Sequence, residues 1–208
     1  MGRIKIVLAL CMMCVALIMA GCGGGKPVEK SVEKSVEKSV EKPQAETKPS
    51  EPAKVENLGM TFEQFKAAYN ARIQEIAPET GWNISGAEYR TGDVQDVFLF
   101  AFSENVVMLG TVDKATGKVK EVLITTTPQN NTDAGAALLA YGLTMATFNP
   151  ELTVEQRAAL LDRLKLSGEK IKTLLDGDGV AVCGKVKYHT VFVKESGMFH
   201  FMASAKDI

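Results

Sequence analysis

The sequence predicts an α+β fold: an antiparallel β-sheet of about five to six strands packed against two to three helices, in the order helix, strands, two helices, strands. Three observations carry that expectation. Thr61 and Thr153 each stand three residues before a Gln, the spacing of a helix capping box. Phe98, Phe100 and Phe102 alternate with Val97, Leu99 and Ala101, which is the two-residue period of a strand. Residues 134–148, AGAALLAYGLTMATF, contain no charge and read as a helix buried nearly all round.

The first 56 residues stand apart from that domain. Residues 1–5 carry Arg3 and Lys5, and residues 6–20 read IVLALCMMCVALIMA without a charge. As a helix such a run rises about 22 Å, short of the roughly 30 Å hydrocarbon core of a bilayer. A basic start, a short apolar core and small residues at its end form a secretory signal. Met19-Ala20-Gly21-Cys22 closes it and resembles the lipobox of bacterial lipoproteins. The resemblance implies that residues 1–21 are a signal peptide and that Cys22 is the lipidated first residue of the mature chain. It also implies anchoring in the cell membrane or outer membrane, with the folded domain on the extracytoplasmic side. Cys11 and Cys14 fall inside the apolar core, which leaves Cys183 as the domain's single thiol and no intrachain disulfide.

Residues 22–56 read as the lipidated cysteine and a disordered tether. Val-Glu-Lys recurs from Val28, Val32, Val36 and Val40, a four-residue period that drifts about 40° per repeat around a helix and makes no stable seam. Seven Lys balance seven Glu across residues 23–56, and no aromatic residue occurs there, so too little apolar surface exists to offset the entropy of ordering. As a coil the segment spans about 30 to 35 Å.

Residues 57–208 form the single globular domain. Its charge is near −3, and it lacks the basic excess of a nucleic-acid binder. Behind the Thr61 cap, Phe62, Phe65, Tyr69, Ile73 and Ile76 recur at helical period until Pro78. The phenylalanine strand follows, apolar on both faces and therefore expected to be buried on both. Residues 106–112 and 118–127 make a hairpin around Asp113-Lys114-Ala115-Thr116-Gly117, and residues 82–89 offer a fourth strand. In the helix at 134–148, Gly135, Ala136, Ala140 and Gly142 are expected to let neighbouring backbone approach closely, and Asn149-Pro150 ends it. The helix behind Thr153 carries Leu160, Leu161 and Leu164; residues 169–175 fit a short helix or a strand equally. Strands at 185–193 and 198–203 meet at Ser196-Gly197.

The stretch from Thr111 through Lys114-Ala115-Thr116-Gly117, with Asn149-Pro150-Glu151-Leu152-Thr153-Val154-Glu155-Gln156 and the later hairpin, is similar to a family of uncharacterised bacterial lipoproteins. The resemblance covers most of residues 57–208, and its motifs are turns and caps. It brings no activity with it.

No nucleophile-elbow, zincin or complete phosphate-loop motif occurs, and Asp176-Gly177-Asp178-Gly179 is too short for a calcium loop. The sequence calls for no cofactor. One cluster has chemical content: Met198, His200 and Met202 alternate with Phe199 and Phe201, and a turn at Ser196-Gly197 sets His189 on the same face. Thioether and imidazole ligands suit Cu(I); the alternative is that the methionines pack under a helix with His200 at the margin. Three functions follow in order of preference. The first is a non-catalytic module binding an envelope protein or cell-wall component. The second is an enzyme built on scattered carboxylates, and the third a Cu(I)-binding domain.

Overall fold

The structure, a computed structural model, describes residues 57–206. The signal segment, Cys22 and the tether lie outside the described residues. Helix α1 (Phe62–Ile76) opens on a reciprocal cap: the Gln64 amide donates to Thr61 Oγ1 at 3.3 Å, and the Thr61 amide donates to Gln64 Oε1 at 2.9 Å. Short 3-10 segments at Pro78–Thr80 and Ile84–Gly86 lead into β1 (Glu88–Arg90), β2 (Gln95–Ser103), β3 (Val106–Asp113) and β4 (Val119–Thr126). Helices α2 (Asn131–Phe148) and α3 (Val154–Arg163) follow, then a 3-10 segment at Gly168–Asp176 and strands β5 (Gly179–Cys183), β6 (Val186–Val193) and β7 (Met198–Ala205).

All pairings are antiparallel in one sheet, ordered β1-β2-β3-β4-β7-β6-β5. The α+β class holds, but the sheet has seven strands rather than five to six, and 3-10 segments interrupt the expected order of elements. The added strand is β5, which occupies the apolar run Val180-Ala181-Val182-Cys183. The fourth strand of the first meander starts only at Glu88, because Asn83 caps a 3-10 turn through the Ser85 amide at 2.9 Å. Residues 169–175 are neither of the expected alternatives but part of a 3-10 segment.

The helices lie on one face of the sheet. Phe65 of α1 sits between Phe98 at 5.5 Å and Phe148 at 5.4 Å, and Tyr141 of α2 stacks on Phe201 at 4.7 Å. Phe98, Met108, Ile124, Phe201 and Tyr188, from five adjacent strands, are all fully buried there. Each large side chain so buried contributes about 1.5–3 kcal/mol. Gly110 permits this packing: a Cβ on it would come within 2.0 Å of Phe98 Cζ, its cross-strand partner.

The glycines of α2 do something else. Gly135 and Gly142 have nothing within 4 Å of a notional Cβ and lie toward solvent, so the expected close backbone approach does not occur at them. Contact with α1 is made instead through Tyr69, whose hydroxyl donates to the Ala140 carbonyl at 3.1 Å in the core. No helix among the described residues is long and apolar enough to cross a membrane.

Candidate functional site: the uncovered sheet face

Because side chains alternate across a strand, covering one face of the sheet leaves the other to be accounted for. On that face Leu99 of β2 is paired with Leu109 of β3, Leu109 with Leu123 of β4, and Leu123 with Met202 of β7. The row continues from Met202 to His189 of β6 and on to Val180 of β5, which is 47% exposed. A parallel row runs Val107, Thr125, His200, Val191. On the other side lie Thr111, Glu121, Ser204 and Lys187. Every side chain of these rows except Val180 is partly exposed, and among the described residues no helix covers them.

The phenylalanine strand is not buried on both faces: Phe98 and Phe102 are in the core, whereas Val97 and Leu99 are partly exposed and Ala101 is exposed. Nor do Met198 and Met202 pack under a helix. The helix layer is on the Phe201 and Ala203 side of β7, and the methionines are on the open side.

The register brings together some of the Met and His residues singled out from sequence. Met202 lies directly opposite His189, and His200 stands two residues along the same strand between Thr125 and Val191. Met198 pairs with Val193, four residues and about 13 Å from Met202, and so stays apart. His189 Nε2 is 2.8 Å from an Asp178 carboxylate oxygen at the turn before β5, which fixes the ring. Burial lowers the His200 pKa from its ordinary value and favours the neutral imidazole. Among the described residues, no group of three or more His, Cys, Asp or Glu stands close enough to hold a metal.

The carboxylates divide by cause. Asp113 is held below the usual range by Thr116 in the β3–β4 turn, Glu155 by backbone and Thr153 hydrogen bonds at the start of α3, and Asp162 by Lys170 and Ser167. All three have structural duties at turns and helix ends. Glu121 alone moves the other way, its carboxyl raised by burial among its neighbours on the open face. Tyr89 donates to Asp96 at 2.8 Å and is pushed up to about 12, by desolvation first and that carboxylate second. Cys183 is partly exposed and its thiol is raised, again mainly by desolvation, which leaves it a poor nucleophile.

The apolar row across β2, β3, β4 and β7 is what the sequence did not reveal as a surface. Its only signal was the apolar character of both faces of β2, which a strand buried on both sides shares. Comparison with protein-family models, curated proteins and solved structures finds no match to this chain.

Proposed function

We propose that this chain is a lipid-anchored protein of the bacterial envelope, belonging with the lipoproteins its sequence resembles, whose folded domain binds a partner through the open face of its sheet. One observation carries the reading: Leu99, Leu109, Leu123 and Met202 form a continuous apolar row that no described helix covers. A contiguous, partly exposed apolar row of this kind, with no helix over it among the described residues, supports an interaction site. The rows flanking it carry hydroxyl, imidazole, amine and carboxylate groups, the polar surround that such sites have. The carboxylates give the catalytic alternative less support, since three of the four with shifted acidity are engaged in turns and caps.

The anchor and the face are tested separately. Cys22→Ala should move the chain from the membrane fraction to the soluble extracytoplasmic fraction; retention on the membrane would reject lipidation at that residue. Replacing Leu109 and Leu123 together by Lys should abolish whatever assembly the native chain makes, with the fold intact by circular dichroism. An unchanged assembly would reject the open face as the site.

A second reading has its own observation. His189 and Met202 are cross-strand partners, and the Asp178 contact leaves His189 Nδ1 as the nitrogen able to meet a metal. With His200 this is a set of soft and borderline donors suited to Cu(I). Loading the domain with Cu(I) against a competing chelator tests it. Equal retention by a variant lacking both His200 and Met202 would remove the idea.

A further inference from the structure

We infer that the occupant of the open face is a second copy of this chain, the two sheets stacked face to face about a two-fold axis that runs along the line between β4 and β7. The inference rests on the open face being the binding surface and names what binds there.

Shape and size select the occupant. Six strands, β2 to β5 in sheet order, span roughly 29 Å at about 4.8 Å each, and eight residues of strand about 26 Å, a footprint of roughly 750 Å². That is close to the ~800 Å² each partner contributes to a standard interface. A single extended segment or one helix would cover only a fraction of it, whereas another sheet covers it whole. Two antiparallel sheets stacked this way, with strands about 30° apart and about 10 Å between them, are the ordinary means of burying apolar sheet faces.

Self-complementarity supplies the second argument. A two-fold axis along the β4–β7 line lays β4 of one copy across β7 of the other, because β4 and β7 are neighbours in the sheet. Leu123 then meets Met202 of the second copy, and the reverse contact repeats it, as an isologous interface requires. Placing a second apolar sheet here also explains why β2 is apolar on both faces.

The test uses the full chain in its native membranes, with a benzophenone amino acid placed at Leu123 and, separately, at Val154. Val154 is 67% exposed, on α3 of the helix layer. On irradiation the Leu123 position should give an adduct of twice the chain mass, and Val154 should not. Adding Leu109→Lys should reduce the Leu123 adduct to the Val154 level. A Leu123 adduct with a different protein overturns self-association while leaving the open face as a binding site. No adduct at Leu123 overturns both ideas. Equal doubled-mass adducts at the two positions overturn the face-to-face arrangement, since they report crowding alone. Circular dichroism of each substituted chain verifies the fold; if Leu123 does not accept the probe, Thr125 on the same face replaces it with the same outcomes.

Discussion

Two buried tyrosines show how differently one atom acts in two places. Tyr188 donates its hydroxyl to Asn149 Oδ1 at 2.6 Å, tying β6 to the turn after α2. Tyr141 is also buried, but among the described residues its hydroxyl has no hydrogen-bond partner. A buried polar group without a partner costs free energy, and removing one half of a satisfied pair strands the other. Tyr188→Phe should therefore lose about 1–3 kcal/mol, and Tyr141→Phe should be neutral or stabilising by about 1 kcal/mol. Urea unfolding compares them directly, and the reverse ranking would sink this assignment. His200 gives a pH dependence. Its folded pKa is depressed by burial, so between that value and its ordinary 6.5 the unfolded chain binds more protons. Stability from this group is whole above pH 6.5 and falls as pH drops toward the folded value. His200→Gln should flatten that part of the stability curve; an unchanged slope would show that another group carries it.

At the scale of elements, the caps set the helix starts. Thr153 and Gln156 repeat at α3 the reciprocal bonds that Thr61 and Gln64 make at α1, at 2.8 and 3.3 Å. Thr61→Ala and Thr153→Ala should each cost about 1 kcal/mol, within the usual range for losing a cap. Differential scanning calorimetry of the two variants checks this, and a native melting temperature in either would mean the cap is redundant there. These caps were legible in the sequence because their chemistry is local. The β3–β4 turn was legible for the same reason: Gly117 takes φ of 66° and its amide closes on the Asp113 carbonyl at 2.7 Å. Strand β5 was not, because five small residues between two glycine turns carry little periodic signal. Its place depends on distant contacts: a Cβ on Gly179 would lie 2.2 Å from the Leu164 carbonyl oxygen. The Met198–His200–Met202 alternation was readable, but which face the helices would take was not. Phe199 and Phe201 on one side and the methionines on the other are both apolar, and only the packing of α2 on Phe201 decides between them.

Across the described residues, the sheet consists of two meanders joined at their last strands. Strands β2, β3 and β4 run in sequence from one side, β5, β6 and β7 from the other, and β4 pairs with β7 from Glu121–Ser204 to Thr126–Phe199. That seam is the middle of the sheet, and both its strands contribute to the open apolar row. Breaking it should unfold the domain rather than trim an edge: deleting residues 198–208 should abolish cooperative thermal unfolding, whereas loss of the three-residue β1 should leave it. A cooperative melt in the truncated chain would show that the meanders fold independently.

The seam also imposes an order in time. Of the seven strands, the one that completes the centre is the last to be made. A chain emerging from its N-terminus, from a ribosome or through a pore, cannot close its core until some seventy residues after β4 has appeared.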